Sequence, residues 1–543
     1  MQRKMKGLLW GVSLLAAVLL TGFYCYQVYM DYQVPVPYID RVMAVPVVEN
    51  LDFLKDRQQQ TSEQNPGVYF GRVLLPYTLD GTLYLSQNFE VEQWEGELTT
   101  GSRDMFLCTL ADDAWENKAD SIRDGHRFTL WLVGEDWYYE LSLVICGMPV
   151  MSLTTQRAEE QEKGDYETDP DRFYFDPDVI YYGEVQVFNP GIGVSQYEIL
   201  ECGVRYYFRG TSSLGYEKKG YSIGLLDAKG ENLNESLLGM RSDNSWKLKA
   251  MVADVERICE KTACQLWEEF ADANSEVNET GPRMEYLELI IDNDYRGLYG
   301  LIEPVDAKKL GLDKNDVLYK FTDWMVPEDE EIQYAVDRSW RIMSFIRIRY
   351  PNVIMDYEKA WYPGRDYLNT FYRGGGDARA AEDKVYLSNV VDMLLFNMAV
   401  SGSDNFFKNM YYAADVSENG DYIMRQIPWD LDLTFGRIYG EKGFEEDETM
   451  VYEEAAVPFL RDTRPELVRP YLQERWEQCR KTFLDTYNIV NLLEENRDYL
   501  INSGVVEREN TRWPDYAMSI DISRIVNYQV RRMEWLDSYF AGY

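Results

Sequence analysis

The run Ser401-Gly-Ser-Asp-Asn-Phe-Phe-Lys-Asn-Met-Tyr-Tyr412 follows directly after a largely apolar stretch, residues 385–400. That stretch contains Met393-Leu-Leu-Phe396 and predicts a helix buried in the core. A second run, Arg425-Gln-Ile-Pro-Trp-Asp-Leu-Asp-Leu-Thr-Phe-Gly436, predicts a strand that ends in two carboxylates and a turn glycine. The two runs predict an α+β fold in which loops beside a buried helix present acidic and amide side chains.

The acidic and amide residues of these runs have the spacing of a phosphoryl-transfer site. Asp404 and Asn409 show the Asp-x-x-x-x-Asn spacing of a kinase catalytic loop, where the Asp accepts a hydroxyl proton and the Asn helps to hold a metal. Asp430 lies at a strand end close to Phe435-Gly436, as a carboxylate that binds Mg²⁺ would. Each pattern alone is also typical of an ordinary turn, but their order and proximity favour a functional site.

A turn rich in glycine and serine lies upstream of these carboxylates. The run Phe208-Arg-Gly-Thr-Ser-Ser-Leu-Gly-Tyr-Glu-Lys-Lys-Gly-Tyr-Ser-Ile223 predicts a turn followed by lysines that enter a strand. Backbone N–H groups and hydroxyls of such a turn can face phosphate, and Lys219 can reach it as a point charge. The alternative is an ordinary hairpin with an exposed lysine pair. The GxGxxG and GxxxxGK[ST] motifs are absent from the sequence, so conventional nucleotide-binding folds gain no support.

Composition excludes several other classes of function. The chain has 543 residues, with 55 Lys and Arg against 93 Asp and Glu, which gives a formal net charge of −38. That charge excludes a protein that wraps nucleic acid by neutralising phosphates. The chain has a single histidine, His126, so metal sites with several histidines are excluded. A Ser-His-Asp triad would have to use that one residue. The seven cysteines show no CxxC spacing, which is typical of buried free thiols.

The N-terminal region predicts a membrane anchor. Three cations among the first six residues precede Gly7 to Met30, a stretch of 24 residues without a charge. As a helix, this stretch is long enough to cross a hydrocarbon core of about 30 Å. The preceding cations predict that the N-terminus is cytoplasmic and that the chain beyond about residue 31 is extracytoplasmic. A cleaved signal peptide is the alternative, whereas the bulky residues before Cys25 disfavour a lipoprotein.

The remaining chain divides by pattern. Residues 31–66 are polar and contain proline, which predicts a stalk. Residues 67–145 alternate in short strand-like runs between turn signals, which predicts a small β-rich domain. Residues 146–543 mix strand-like runs with helical stretches, and we expect two lobes, over about 146–320 and about 321–543.

Further elements are predicted within the two lobes. Apolar positions follow the helical period over roughly 255–270. Residues 156–178 predict a solvated acidic loop, and the chain beyond residue 440 predicts mostly helix. Strand-like runs lie at 181–188, 201–208, 220–226 and 284–303.

Six ordered motifs resemble the CotH family, which comprises spore coat protein H and related bacterial surface proteins with an atypical protein-kinase-like fold. The resemblance covers roughly residues 146–540. Its motifs are Arg209-Gly-Thr-Ser-Ser with Lys218-Lys-Gly-Tyr221, Trp246-Lys-Leu248, Asp254-x-x-Arg257, Gly297-Leu-Tyr-Gly-Leu-Ile-Glu-Pro-Val-Asp306, Asp404-x-x-x-x-Asn409-Met-Tyr-Tyr412, and Pro428-Trp-Asp-Leu-Asp-x-Thr-Phe-Gly436. The chain has Arg-Gly-Thr-Ser where the family commonly has Arg-Gly-Asn-Ser, a change that keeps hydrogen-bonding capacity.

The resemblance implies an ATP-dependent Ser/Thr protein kinase that uses Mg²⁺ or Mn²⁺. It implies Asp404 as the catalytic Asp and Asn409 as its metal-binding companion. Either Asp430, our first choice, or Asp432 would bind the metal, and either Lys219 or Lys218 would contact phosphate. Arg209 and Ser212 would belong to the turn over the phosphates, and Glu303 would lie near the adenine or support the lysine. Glu256 and Glu260 are both candidates for a lysine-paired glutamate on the 255–270 helix.

The resemblance also implies a class of partner and a location. Family substrates are Lys/Arg- and Ser-rich coat proteins, which an acidic enzyme would attract. We therefore expect a membrane-anchored enzyme at the cell surface or in the spore envelope. The alternative from a different class is a surface scaffold, adhesin or coat-assembly protein that uses a kinase-like fold without turnover.

Overall fold

A computed structural model describes residues 47–542 apart from 62–63, 72, 87–97, 111–117, 166, 169, 189–198, 211, 278–280, 344, 376 and 441–442. The contacts divide the chain into two compact units, of which the second contains residues 144–543 together with 86–90 and 119–126. The predicted anchor, residues 7–30, and much of the predicted stalk lie outside the described residues. Within the described part, no helix is both long and apolar enough to cross a membrane.

The first unit is built from short strands. A sheet with the order β1-β7-β8-β9-β2, in which β5 also pairs with β9, lies beside a small sheet with the order β4-β3-β6. Residues 127–133 form a strand, as the alternation of the sequence predicted, and apolar side chains on one face of it, among them Leu130 and Leu132, are fully buried. The strands are Val47–Val48 (β1), Gln58–Gln59 (β2), Val68–Phe70 (β3), Val73–Leu74 (β4), Thr82–Ser86 (β5), Leu98–Thr100 (β6), Phe106–Leu110 (β7), Arg127–Val133 (β8) and Trp137–Cys146 (β9). Helix Lys118–Arg123 (α1) comes between β7 and β8 in the chain and belongs to the second unit from residue 119 onward.

The second unit begins with a closed barrel whose strands follow the order β10-β11-β12-β13-β16-β18-β17. Its interior is filled by apolar side chains such as Leu225, Trp246 and Leu248, each with no exposed surface. The strands of this region are Val150–Glu160 (β10), Val179–Phe188 (β11), Ile199–Arg209 (β12), Gly220–Leu226 (β13), Glu235–Ser236 (β14), Ser242–Asp243 (β15), Ser245–Lys249 (β16), Met284–Ile291 (β17) and Asp294–Ile302 (β18). Helix Pro170–Phe175 (α2) lies between β10 and β11.

Helix Cys259–Asp272 (α3) follows β16 and packs on β17. Its apolar positions, including Leu266 and Phe270, are buried as the helical period predicted. The carboxylate of Asp254 accepts a hydrogen bond from the Cys259 amide at 2.7 Å, which satisfies a free donor at the start of the helix. This hydrogen bond therefore helps to define where α3 begins.

The rest of the second unit combines a sheet with many helices. Strands Val317–Phe321 (β19), Ile342–Met343 (β20), Ile346–Tyr350 (β21), Met410–Val416 (β22) and Tyr422–Pro428 (β23) pair in the order β20-β21-β19-β22-β23. Helix Leu387–Val400 (α8) is buried along almost its whole length, as its sequence predicted. The other helices are Ala307–Leu310 (α4), Asp329–Asp337 (α5), Tyr357–Tyr367 (α6), Ala378–Glu382 (α7), Ala456–Thr463 (α9), Pro465–Arg480 (α10), Thr486–Asn502 (α11), Val505–Arg512 (α12) and Ser523–Ala541 (α13).

One sequence-based prediction of local structure is wrong in part. Residues 156–160 continue strand β10 and residues 170–175 form α2, so 156–178 is not a single loop. The acidic side chains of 156–160 predicted a solvated loop. The prediction failed because strand pairing satisfies the backbone even where side chains on the solvent face are charged. Register with β11 extends to Glu160↔Val179, which shows that the pairing runs to the end of the strand.

Candidate functional site

The loop of residues 401–409 is positioned by the end of helix α8. Ser401 adopts the left-handed conformation, with a φ of 53°, and thereby ends the helix. The loop turns so that Asn409 Nδ2 donates to Asp404 Oδ2 at 2.7 Å. Lys408 Nζ lies 2.9 Å from the same oxygen. The sequence predicted that Asp404 and Asn409 would lie together, and the structure joins them by a direct hydrogen bond.

Hydrogen bonds to backbone carbonyls join this loop to the residue after strand β23. Asn405 Nδ2 donates to the Trp429 carbonyl at 2.7 Å, and the Trp429 amide donates to the Asn409 carbonyl at 3.0 Å. Asn409 and Asp430 both have positive φ values, 57° and 62°. Such a conformation costs a non-glycine residue roughly 1 kcal/mol or more and is concentrated at functional sites. The two acidic runs that the sequence singled out therefore form one site.

A lysine of the barrel completes the site. Lys249, the last residue of β16, lies with its Nζ 2.7 Å from Glu260 Oε1 of α3 and also pairs with Asp430. Lys249 and Glu260 are 8% and 1% exposed at their side chains, so the pair is almost fully removed from water. Protein kinases have an ion pair between a strand lysine and a helix glutamate, and that lysine contacts the nucleotide phosphates.

Sequence reasoning missed Lys249. Trp246 and Leu248 are fully buried in the barrel, and this alternation places Lys247 and Lys249 together on the outer face of β16. The run Trp-Lys-Leu-Lys therefore carried the signal that could have identified Lys249. Of the two glutamates left open, Glu260 meets the lysine, whereas Glu256 makes a bidentate ion pair with Arg437.

Three aspartates of the site have unequal pKa values. Burial raises the pKa of Asp430, but Lys249 and Arg209 outweigh this and hold that pKa well below its usual value. Burial and the neighbouring Asp430 raise the pKa of Asp432 well above its usual value. Burial also raises the pKa of Asp404. Asp430 is thus the carboxylate most firmly held in the ionised form.

The donor set fits a hard divalent cation. Asp430 and Asp432 are two residues apart and repel each other, as the pKa of Asp432 shows, and a cation would relieve that repulsion. Asn409 uses its amide N–H group on Asp404, which leaves its Oδ1 atom available as an oxygen ligand. Carboxylate and amide oxygens are the ligands that Mg²⁺ and Mn²⁺ prefer. The residues present therefore fit the predicted metal.

The structure corrects the prediction for Lys218. Its side chain has no exposed surface, and its Nζ lies 2.6 Å from Glu509 Oε1 of α12 and 2.6 Å from the Leu298 carbonyl. A lysine so enclosed is a structural residue and does not contact phosphate. The pKa of Lys218 is lowered to about 8, first by burial. The sequence could not show this because Glu509 lies 291 residues away.

The other residues of the predicted turn have different positions. Lys219 Nζ donates to the Leu214 carbonyl at 2.6 Å and is partly exposed, so it fastens its own turn. Arg209, at the end of β12, lies close enough to Asp430 and Lys249 to shift the pKa of both. The side chain of Ser212 lies outside the described atoms. Arg209 is therefore the residue of this turn that the structure brings to the site.

Glu303 does not support the lysine, one of the two alternatives predicted for it, whereas its place near the adenine stays a prediction. Its Oε1 accepts a hydrogen bond from the Arg241 amide at 2.9 Å, and its Oε2 pairs with Lys309. The side chain is 1% exposed. Glu303 thus fixes the segment that follows β18 and supports none of Lys218, Lys219 and Lys249.

Two further residues lie beside the Asp404–Asn409 pair. Lys408, besides its contact with Asp404, lies 4.5 Å from the centre of the Trp324 ring. Trp324 is 48% exposed, an unusual exposure for so large an aromatic side chain. The sequence did not predict the contact between Lys408 and Asp404, because that contact depends on the conformation of the turn.

A second acidic group lies at the start of α3. Asp254, Glu256 and Cys259 lie close enough together to be considered as metal ligands, and the described residues contain no other group of this kind. Asp254 caps α3, and Glu256 pairs with Arg437. These residues therefore shape the entry to α3.

Comparison with known proteins agrees with this geometry. The family model described as CotH kinase protein matches residues 207–536. The chain belongs to the CotH kinase family. The match begins near the end of β12 and includes Arg209, Lys249, Glu260, the 401–409 loop and Asp430, so every residue of the site lies inside it. A search of curated proteins finds no match to the chain.

Proposed function

We propose that this CotH kinase family member transfers the γ-phosphate of ATP to Ser or Thr hydroxyls of protein substrates. The observation that supports the proposal is the convergence of Lys249, Glu260 and Asp430 beside the Asp404–Asn409 pair. These residues come from the barrel, from α3 and from both acidic runs. A protein without turnover has no need to hold a buried lysine between two carboxylates next to a second aspartate.

The proposed roles follow from the position of each side chain. Asp404, oriented by Asn409 and Lys408, accepts the proton of the attacking hydroxyl. Lys249, oriented by Glu260, holds phosphate oxygens. Asp430, Asn409 and Asp432 would hold Mg²⁺ or Mn²⁺, which supplies positive charge for the phosphates when bound. Phosphoryl transfer needs positioning and charge more than covalent chemistry from the protein, so these roles suffice.

The test is transfer of label from [γ-³²P]ATP, with Mn²⁺, to a basic Ser-rich protein. We expect the full-length chain to label the acceptor and Asp404→Asn or Lys249→Met to reduce labelling by at least about 100-fold, because each removes a group that acts on the reacting atoms. Lys219→Met is the matched control and should retain labelling, because the Lys219 Nζ atom donates to the Leu214 carbonyl of its own turn. Absence of transfer, or equal transfer by all variants, would favour the scaffold function.

We also propose a location and a partner class. The uncharged stretch Gly7 to Met30 supports a single membrane anchor with the bulk of the chain outside the cytoplasm, at the cell surface or in the spore envelope. The net charge of −38 supports Lys/Arg-rich protein substrates. Digestion of intact cells with an added protease tests the location, since a cytoplasmic chain would survive it.

A further inference from the structure

Arg437 lies where three parts of the site meet, at the end of the run that contains Asp430. Its guanidinium group makes a bidentate ion pair with Glu256, in which Nε donates to Oε2 at 3.0 Å. Its backbone carbonyl accepts a hydrogen bond at 3.2 Å from the hydroxyl of Ser403, the residue before Asp404. Arg437 thus joins the turn before α3, the strand-end run and the loop of Asp404.

The ion pair between Arg437 and Glu256 is almost completely removed from water, with side chains that are 11% and 5% exposed. Replacing such a pair by apolar side chains of similar size is often neutral or stabilising, because both charges lose their hydration when they are buried. The pair therefore contributes little net stability. Two parallel N–H···O bonds between planar groups do, however, fix the orientation and the separation of the two segments that carry them.

The turn that carries Glu256 leads directly into α3. Asp254 accepts a hydrogen bond from the first amide of the helix, and Arg257, 1% exposed, donates to the Asp254 carbonyl at 2.6 Å. The backbone is therefore held on both sides of Glu256. Glu260, four positions after Glu256, is the second residue of α3 and contacts Lys249. A fixed position for Glu256 thus fixes the first turn of α3 and the glutamate that orients the lysine.

The chain between Asp430 and Arg437 is constrained as well. Asp430, Phe435 and Gly436 have φ values of 62°, 53° and 87°. A Cβ atom added at Gly436 would lie 2.7 Å from the ring of Phe444, so the tight turn before Arg437 requires glycine. The Phe435 amide also donates to the carbonyl of the last residue of α8 at 2.5 Å. The position of Arg437 is therefore set by the same segment that presents Asp430.

We propose that Arg437 is a positioning residue of the site. Its ion pair with Glu256 holds the start of α3, and α3 in turn holds Lys249. The lysine thereby keeps its place relative to Asp404 and Asp430, and Arg437 acts through these residues and not on the reacting atoms. The inference rests on the proposed function. Phosphoryl transfer depends on positioning, and a displacement of about 1 Å can lower the rate by about 100-fold.

The test removes one or both charges of the pair in the full-length chain. Arg437→Met leaves Glu256 buried without its cation and should lower the Tm, whereas Arg437→Met combined with Glu256→Leu should return the Tm toward the wild-type value. The kcat for transfer of γ-label should nevertheless fall by about 30-fold or more in both variants. Arg437→Lys keeps the charge and should lose less than about tenfold. A merely structural pair would let the double variant recover the wild-type kcat.

A buried ion pair away from the site gives the matched control. Arg475 of α10 and Asp392 of α8 form a bidentate pair at 2.7 and 3.0 Å, with side chains that are 11% and 2% exposed. Arg475→Met with Asp392→Asn removes both charges and keeps an oxygen for Asn274, so kcat should stay within about threefold of the wild type. An equal loss of kcat in this control, or a wild-type kcat in the Arg437→Met/Glu256→Leu variant, would overturn the inference.

A second measurement needs no catalysis. The Lys249 side chain is 8% exposed, so its acylation by an amine-reactive acetyl ester, followed by peptide mass spectrometry, reports local opening around α3. The rate should rise by about tenfold or more in the Arg437→Met/Glu256→Leu variant, whereas acylation of the exposed Lys314 should not change. Equal acylation of Lys249 in the two proteins would refute the inference and leave the kinase proposal intact. Absence of γ-label transfer by the wild type, together with the expected rise in acylation, would refute the proposed function alone.

Discussion

Neighbouring lysines show how strongly the environment of a single side chain decides its role. Lys218 is fully buried and forms an ion pair with Glu509, whereas Lys219 is partly exposed and donates a hydrogen bond to the Leu214 carbonyl. Lys249, which the sequence did not single out, is held between Glu260 and Asp430. The residue type is the same for all three lysines, so their partners decide their roles.

The first prediction compares Lys218→Met with Lys219→Met. Lys218→Met removes the closer of the two cations that pair with the buried Glu509, leaving Arg257 at 3.6 Å, and should lower the free energy of unfolding by about 3 kcal/mol. Lys219→Met should change it by less than about 0.5 kcal/mol, as is usual at a surface position. Urea denaturation measures both. Adding Glu509→Leu to Lys218→Met should recover part of the loss, and failure to do so would show that the pair is not the cause.

The second prediction separates Asp430 from Asp432 as a metal ligand. Lys249 and Arg209 keep Asp430 ionised, whereas burial and Asp430 favour the neutral form of Asp432. Asp430→Asn should therefore weaken Mn²⁺ binding more than Asp432→Asn does, by about tenfold or more, since the ionised oxygen is the stronger ligand. Calorimetric titration of each variant with Mn²⁺, without nucleotide, gives the comparison. The reverse order would assign the metal to Asp432.

At the scale of elements, helix α3 depends on the turn that precedes it. Asp254 caps the helix, and Arg257, 1% exposed and with a φ of 62°, donates to the carbonyls of Met251 and Asp254. Arg257 also donates to the Tyr516 carbonyl, so the chain after α12 helps to hold this turn. The Asp254-x-x-Arg257 motif thus sets the position of Glu260, which in turn orients Lys249.

The third prediction concerns the pH dependence of this cap. Burial, and then Glu256, raise the pKa of Asp254 to about 7. The unfolded chain releases this proton near pH 4, so between about pH 4 and 7 the folded state binds more protons and stability falls as the pH rises. The contribution is present at low pH and is lost as the pH passes 7. It amounts to at most about 4 kcal/mol.

Asp254→Asn, which mimics the neutral acid, should remove this dependence. The Tm of the variant should approach or exceed that of the wild type at pH 8 and should vary less between pH 5 and 8. Scanning calorimetry at several pH values measures the difference between the two proteins, which cancels the titration of all other groups. Parallel Tm profiles would contradict the assignment of this proton to Asp254.

At the scale of the whole molecule, residues from the C-terminal part of the chain contact the barrel. The C-terminal part of the chain returns to the barrel, where Arg508 of α12 makes a bidentate ion pair with Glu288 at 2.9 and 2.5 Å and Glu509 reaches Lys218. The Trp513 side chain also donates to the Arg296 carbonyl at 2.8 Å. Residues late in the sequence therefore stabilise the barrel that carries Lys249 and Arg209.

The fourth prediction follows from the net charge of −38. Attraction between an acidic enzyme and a basic acceptor is screened over a Debye length of about 8 Å at physiological salt. The KM for a Lys/Arg-rich Ser peptide should therefore rise by about tenfold between 50 and 300 mM NaCl, with little change in kcat. A peptide with the same serines and no net charge is the control. Equal salt dependence for the two peptides would show that charge does not select the acceptor.

The sequence by itself determined the features that depend on local pattern. Helical periodicity located α3 and α8, and alternation located the strands around residues 181–188 and 220–226. The spacing of Asp404 and Asn409 predicted their contact, because five residues in a turn can bring two side chains together without help from elsewhere. The family resemblance rested on the same short motifs.

Only the tertiary structure decided which charged groups meet. Lys249 and Asp430 are 181 residues apart, and Lys218 and Glu509 are 291 apart. The partners of a buried charge depend on which elements pack together. The local sequence around a lysine does not show whether its side chain will lie in the site or in the barrel wall. Periodicity encodes the face of an element that is buried, but the burial of a charge also requires its counter-charge, which long-range packing supplies.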